Sequence, residues 1–481
     1  MRNILLWVLA VMAVGVCEAE DVTVRFDGTA AKVKNKVTDS VTVVVDGANV
    51  SIESQYKTHK LTVSLSGKSN DGQVMLKTAG KAKVTLNGLN LTSQEGAPLW
   101  LKNKKKVSVV AAKGTENTLT ITACTDTANH KGAAVWAKDK LELSGKGTLN
   151  IIATGDGCRG IKAKKDILIE ELTLNVTTSG NNLGEKPFGM GGFPDFGGER
   201  PDFGEGMPDF PKPDFDGFPD FGGFPGFDGD STMVGEKPDF GGGFPGKHKY
   251  YASTKGIASK GKITINSGSV TVRTSTPGAE GIEGKEGVIF NGGTVDVLTT
   301  DDAVNANATI EFNGANVIAR SMGNDAVDAN PKGGFFPPFG GNNNGQNIDP
   351  VIIIRGGTVY ALSQVGSPEE GLDCDFAPLL IEGGTVFSVG GSIGEAPSVP
   401  TNQTAKQPTA LLVGMSIAKD VPVNIYDADG KLIHAFTVPL DMRRSASIVS
   451  IPAFKVGGTY AVKTIGYEKT FTFTENFATV R

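Results

Sequence analysis

Two sets of acidic side chains recur at fixed offsets from a repeated aliphatic residue, and that spacing carries the clearest chemistry in the sequence. The aliphatic anchors are Val135, Ile161, Ile257, Ile282, Val304, Val327 and Leu372. Where nothing is inserted they lie 25 (257 to 282), 22 (282 to 304) and 23 (304 to 327) positions apart. Two residues before the anchor stand Glu280, Asp302, Asp325 and Glu370, and directly after it stand Glu283, Asn305, Asp328 and Asp373, with Asp301, Asn307, Asn324, Glu369 and Asp375 nearby. Two carboxylates roughly 5 Å apart repel by roughly 1 kcal/mol in water, and by several times more at a lower effective dielectric. Stacking them therefore calls for a bridging cation. Carboxylate, amide and carbonyl oxygens without Cys or His describe a hard-cation site, whose adaptable geometry suits Ca²⁺ better than Mg²⁺. The expected ligands of calcium held between coils are Glu280, Glu283, Asp301, Asp302, Asn305, Asn324, Asp325, Asp328, Glu370 and Asp373. The competing expectation is a solvated acidic face.

In earlier coils the post-anchor position changes character. It is Trp136 after Val135 and, one coil before, Trp100 after Leu99. Facing outward, such a pair offers flat apolar rings with a donor at the edge, which suits the C–H face of a sugar; the competing expectation is that the N-terminal strands cover it. Arg159, Lys162, Lys164 and Lys165 surround the next anchor, with Lys102, Lys104, Lys105, Lys106, Lys138 and Lys140 before it. Such lysines are ordinarily solubilising charge, but beside an aromatic pair and calcium they also complement carboxylated sugars. Trp100, Trp136, Arg159 and Lys162 are the expected carbohydrate-binding residues. A lyase that abstracts the proton α to a uronate carboxylate needs a basic residue of lowered pKa beside the metal. Lys285, two residues beyond Glu283, is the best-placed candidate, whereas Arg320 and Arg355 do not share the acidic positions. No residue receives a catalytic role.

The elements that must position these groups follow from the same period. After each anchor comes a short alternating strand, as in Ile263-Thr264-Ile265, Val288-Ile289-Phe290 and Ile310-Glu311-Phe312. A turn and a second strand follow, as in Gly292-Gly293-Thr294-Val295 and Gly356-Gly357-Thr358-Val359. This is the signature of one turn of a parallel β-helix, in which equivalent residues stack about 4.8 Å apart and residues flanking an inward anchor point outward. With 64 glycines in 481 residues and no helical periodicity, the chain reads as all-β. A net charge of −5 gives no indication of a nucleic-acid surface, and neither a phosphate loop nor a dinucleotide fingerprint is present.

Residues 1–19 have the layout of a secretory signal cut after Ala19, which predicts a secreted, cell-surface or periplasmic protein of a bacterium. Lipoprotein anchoring at Cys17 is the lesser alternative, because Val16 stands where a small residue is expected. No later stretch is long and apolar enough for a membrane span. Residues 20–60 read as an N-terminal β cap, 61–400 as the β-helix, and 401–481 as a C-terminal β unit. Low-complexity residues 183–249, with Pro-Asp-Phe repeated six times, interrupt the β-helix as a loop, and a smaller insertion covers 331–350. The long loop is read as a tolerated insertion, or as a docking element for a protein partner. Cys124, Cys158 and Cys374 lack the spacing of a disulfide framework or zinc site; a Cys124–Cys158 bridge and a pair of buried thiols both remain open.

Residues 80–91 (GKAKVTLNGLNL), 114–119 (GTENTL) and 145–150 (GKGTLN), and the coils Gly160-Ile161-Lys162-Ala163-Lys164 and Gly256-Ile257-Ala258-Ser259-Lys260, resemble a known family. It comprises secreted bacterial carbohydrate-binding proteins of the polysaccharide-lyase-like β-helix type, first described from a cellulolytic clostridium. The resemblance covers residues 61–389 and touches Gly457-Gly458-Thr459-Tyr460. It implies a right-handed parallel β-helix, bound Ca²⁺, and affinity for acidic polysaccharide such as polygalacturonate, with cellulose as a further ligand. Gly155-Asp156-Gly157 precedes Cys158-Arg159 and Thr254-Lys255 precedes Gly256, so the family's acidic coil start, and with it calcium, does not carry over to those two coils. The expected function is calcium-dependent, non-catalytic binding of acidic polysaccharide, with a pectate-type lyase and a surface adhesin acting through the Pro-Asp-Phe loop as alternatives.

Overall fold

The computed structural model describes residues 20–124, 132–185, 250–330, 349, 351–366, 368–374, 377–391 and 398–481. The described residues up to Glu185 and from Tyr250 onward form one compact unit. The expected signal segment, nearly all of the Pro-Asp-Phe loop and most of the second insertion lie outside the described residues.

Short runs of alternating Val, Ile and Leu between turn residues form strands because branched side chains pack well on a pleated surface. All regular structure among the described residues is β. One coil consists of three strands, for example Glu280–Gly284, Val288–Phe290 and Thr294–Thr299, and the next of Val304–Ala306, Ile310–Phe312 and Asn316–Ser321. Each strand pairs in parallel with its counterpart one coil on: Ile282 lies opposite Val304, Val288 opposite Ile310 and Val295 opposite Val317. The chain therefore winds as a solenoid, and the inward residues become ladders.

Those ladders are the core. Ile257, Ile282, Val304, Val327 and Leu372 are each at most 1 % exposed, and Phe290 stacks on Phe312 with centroids 5.0 Å apart and planes 13° from parallel. Burying each such side chain contributes about 1.5–3 kcal/mol. The Gly-Gly-Thr-Val motif has a backbone cause. Gly293 adopts φ +81°, and a Cβ there would lie 2.5 Å from the Gly268 carbonyl oxygen, so only glycine turns this corner without strain. Beside that turn, Asn291 donates to Asn266 and Asn313 to Asn291, both at 2.9 Å, forming a hydrogen-bonded amide ladder along the rod.

Both ends of the stack are closed by antiparallel pairing. Val22–Asp27 pairs in parallel with Leu61–Ser69 and antiparallel with Ala30–Asn35; Asn49–Ser54 pairs in parallel with Gln73–Thr78 and antiparallel with Val41–Asp46. Coil-type pairing thus already begins within residues 20–60. At the other end Met442–Ser450 runs antiparallel to Thr385–Gly390 and to Thr409–Ile417, so these two C-terminal strands continue the solenoid's own sheet. Covering an open strand edge in this way prevents further chains from adding to it. Leu432–Phe436, Val423–Asp427, Thr459–Thr464 and Tyr467–Thr472 form a separate antiparallel sheet, seated on the last coil through Phe436 stacked on Phe387 at 4.4 Å.

Candidate functional site

One face of the solenoid is an eleven-stranded sheet that carries the anchors. Its register places the post-anchor residues in a single column, in the order Trp100, Trp136, Lys162, Ala258, Glu283, Asn305, Asp328 and Asp373. The residues two before the anchor make a second column. Lys255 lies opposite Glu280, and backbone bonds from Gly281, Ala303 and Ala326 to the carbonyls of Asp302, Asp325 and Glu370 stack these acids in succession. Ahead of the acids the columns carry cations, Lys162 in the first and Arg159 and Lys255 in the second, and both are acidic from Glu280 and Glu283 onward.

In an extended strand, residues three apart point to opposite faces. Here the chain bends at Ala303, Ala326 and Gly371, between the two columns, and the columns converge into one trough. Asn305 Nδ2 donates to Asp302 Oδ2 and to Asp328 Oδ2, both at 2.9 Å. Asn324 Nδ2 donates to Asp301 Oδ1 at 2.8 Å and Asp302 Oδ1 at 2.7 Å. Asp302, Asp325 and Asp328 each bring a carboxylate oxygen within 4.8 Å of the others and are 3 %, 6 % and 1 % exposed. The bend has made this a buried cluster rather than a solvated acidic surface. Burial, and then the neighbouring Asp328, Asp301 and Glu280, push Asp302 well above the carboxylate range; burial and then Asp373 push Asp325 up to about 9. The Glu370 amide donates to Asp325, the Ser398 amide to the Glu370 carboxylate, and Ser398 Oγ to Asp373 Oδ1 at 3.3 Å. Buried carboxylate and amide oxygens gathered in this way are the donor set a hard divalent cation takes.

Glu280 and Glu283 meet a different partner. Lys255 Nζ lies 2.8 Å from Glu280 and 2.6 Å from Glu283, and Lys285 also pairs with Glu283. Burial acts upward on Glu283, but Lys255 and Lys285 outweigh it and hold the carboxyl down at about 2. Glu280 is raised, its burial prevailing over Lys255. A protein ammonium group therefore already stands between these two carboxylates, which sets them apart from the aspartate cluster. Sequence reasoning missed Lys255. The available signal was its position, two before an anchor, where it was read as the loss of an acid rather than the gain of a cation. Lys285, the best-placed candidate base of the lyase alternative, is tied to Glu283.

On the basic half, Arg159 Nε donates to the Ser253 carbonyl at 3.0 Å and Nη2 to Ser253 Oγ at 3.3 Å. The residue as a whole is half-buried while its guanidinium end is enclosed, and that burial lowers its pKa against the pull of Glu283 and Glu280. The Lys162 amine is brought down to about 8 by burial and then by Arg159, Lys260 and Lys164. Trp100 and Trp136 stand edge-to-face, 6.4 Å between centroids at 79°, so they do not form a coplanar platform. Trp136 is 7 % exposed, packed on Ala97 and Ala133, and its Nε1 is buried without a hydrogen-bond partner among the described residues. The half-buried Trp100 carries Lys102 Nζ 4.0 Å from its ring centroid, and Lys164 Nζ is 5.7 Å from that of Trp136. Together these residues line a cleft of about 610 Å³. Cys124, Cys158 and Cys374 are free thiols, and burial pushes Cys158 up to about 12, a range in which it is inert.

Two segments of the chain are similar to a known protein family. Residues 46–186 and 244–326 match the model of a family described as "Carbohydrate-binding domain-containing protein". These segments take in Trp100, Trp136, Arg159 and Lys162 and the acidic columns as far as Asp325. A protein of the same description from Acetivibrio thermocellus is 28 % identical over 138 residues, which is 27 % of this chain and 48 % of that protein. The chain thus spans about half the length of the curated relative it matches. The solved structure of a polysaccharide lyase-like protein from C. thermocellum, a gadolinium derivative, is similar at 18 % identity and a TM-score of 0.39, over 65 % of this chain and 92 % of that one.

Proposed function

We propose that this chain is an exported, non-catalytic protein that binds acidic polysaccharide of the polygalacturonate type, with cellulose as a further ligand, and that calcium occupies its aspartate trough. One observation carries the reading. A single sheet joins a buried oxygen-only cluster at Asp302, Asp325 and Asp328 to an aromatic, basic cleft at Trp100, Trp136, Lys102 and Lys164, with Lys162 next to Trp136 in the register. The likeness to the carbohydrate-binding family supports a sugar ligand. The aspartate carboxylates, with the amide oxygens of Asn305 and Asn324, fit a calcium ion in donor chemistry; Asp301, Glu370 and Asp373 border them, and Glu280 and Glu283 keep Lys255 as their cation. Bound calcium supplies the positive charge that neutralises the trough and attracts a uronate carboxylate. Trp100 then offers its face to a sugar ring, while Lys162 and the cleft lysines Lys138 and Lys164 attract the carboxylates of the polymer, and Arg159 is held inward by Ser253. We read the winding as right-handed, the hand of nearly all crossovers between parallel strands. Titrating polygalacturonate into the protein by calorimetry, with calcium and with chelator, tests the reading. Binding that calcium strengthens supports it; no heat with either polygalacturonate or cellulose oligomers removes it.

A second reading, a uronan lyase, would take as its base the Lys162 amine, which burial brings down to about 8 but which stands three coils from the aspartate trough, so that calcium there would not assist it. Unsaturated uronate appearing on incubation with polygalacturonate, and vanishing in Lys162→Met, would establish that activity.

A further inference from the structure

The third residue after the anchor forms a column of its own along the C-terminal ends of the same strands. Lys77 lies opposite Lys102 in the strand register. The Lys138 amide bonds the Leu101 carbonyl, that of Lys164 bonds Ala137, that of Lys260 bonds Ala163, and that of Lys285 bonds Ser259. Lys77, Lys102, Lys138, Lys164, Lys260 and Lys285 therefore follow one another, one per coil. At about 4.8 Å per coil the ladder extends roughly 24 Å along the rod axis. All six side chains are exposed or half-buried. In the following coils the position becomes Asn307 and then Asn330, so the lysines stop where the aspartate cluster begins.

We propose that this ladder is a binding rail for a linear polyanionic glycan lying parallel to the solenoid axis, each lysine meeting the carboxylate of successive uronate sugars. This rests on the acidic-polysaccharide reading given above and is independent of calcium. Stacked ammonium groups repel one another, and at the ends of the rail Glu53 pairs with Lys77 at 3.0 Å and Glu283 with Lys285. In between, Lys102 and Lys164 lie over the rings of Trp100 and Trp136, which holds their charge at the cleft by cation–π attraction. The cleft is bounded by Lys77, Lys102, Lys138 and Lys164 with both tryptophans, so apolar ring faces and regularly spaced cations share one groove. A pyranose ring advances its polymer by about the length of one coil, whereas duplex DNA presents a charge every ~1.7 Å. Regular spacing, indole rings and the adjoining acidic trough thus favour a uronan over nucleic acid.

The test uses full-length protein in chelator, with polygalacturonate oligomers of increasing length, the methyl-esterified polymer and duplex DNA as probes. Affinity should rise with oligomer length until the chain spans the rail, then level off, and it should fall with salt. The surface variant Lys138→Gln with Lys260→Gln should weaken polygalacturonate binding about 25-fold, which is five-fold per lysine, and should flatten the salt dependence. The esterified polymer should bind weakly to both proteins. Wild-type affinity in the double variant, or no dependence on oligomer length, overturns the rail while leaving calcium-dependent glycan binding intact. Duplex DNA binding as tightly as polygalacturonate, with the same sensitivity to the variant, overturns the uronan assignment. Absence of binding to every acidic glycan, with and without calcium, overturns the functional reading and the rail together.

Discussion

Replacing Asp325 by Asn should stabilise the protein in chelator at neutral pH and destabilise it in calcium, a reversal that a purely structural aspartate would not produce. Asn keeps an oxygen acceptor for the Glu370 amide, which donates to Asp325, so the packing change is small. In the unfolded chain an Asp titrates near 3.9, while in the cation-free fold Asp325 is raised to about 9. Between those values the native state holds the extra proton, and stability falls as pH rises, by about 1.36 kcal/mol per unit. The favourable contribution is complete below pH ~3.9 and is lost progressively up to pH ~9. At pH 7 the loss amounts to about 4 kcal/mol as a ceiling, and Asp325→Asn is relieved of it. Because a solenoid opens in segments, the assay is hydrogen exchange of the amides in Val304–Ala306 and Val327–Ala329, followed at pH 5, 7 and 9. In chelator both proteins should lose protection with rising pH, because Asp302 is raised in each, but the wild type more steeply than the variant. In calcium the wild type should become pH-insensitive and the variant weaker, since the ion takes the place of the proton. Wild-type protection that does not change with pH in chelator, or a variant that opens more readily than wild type at pH 7 without calcium, would refute the electrostatic argument.

Lys255→Met leaves Glu280 and Glu283 buried without their shared ammonium group and should cost about 3–5 kcal/mol in chelator; denaturant midpoints with added calcium would show partial recovery if the vacated carboxylates accept the ion. Glu283, held down at about 2, contributes stability that is present above its ordinary range near 4.3 and lost as pH falls toward 2; Glu283→Gln should therefore show a shallower acid transition in the same experiment. Phe290→Ala breaks the stack with Phe312 and should cost about 3–5 kcal/mol, read as a fall in melting temperature. Trp100→Ala should reduce glycan affinity about ten-fold while leaving calcium affinity unchanged, because the ring lies in the basic cleft and not in the trough; equal loss of both would contradict the division of the sheet.

The repeat was legible because a solenoid writes its period into the chain. Ile282, Val304 and Val327 occupy the same place in successive coils, and one register error would turn every anchor outward. Stacking of Asp302, Asp325 and Glu370 followed from that count alone, as did the shared column of Trp100 and Trp136. Turn glycines such as Gly293 were equally readable, since a left-handed corner admits little else. Alternation along a strand, by contrast, could not show that residues three apart would meet. The bends at Ala303 and Ala326 convert two outward columns into one buried trough, and only three-dimensional packing reveals how far the carboxylates there are driven from their usual range. Nor could local sequence show that Lys255 reaches into the next coil to hold Glu280 and Glu283, or that the two tryptophans meet edge to face. The lysines of the rail are individually ordinary surface residues, and they become a feature only when coils separated by insertions of different length are laid in register. What the sequence determined by itself was periodicity, because hydrophobic burial imposes it residue by residue. Which charged groups share a space, and at what electrostatic cost, was decided by the tertiary structure, because those interactions run between coils, across the chain rather than along it.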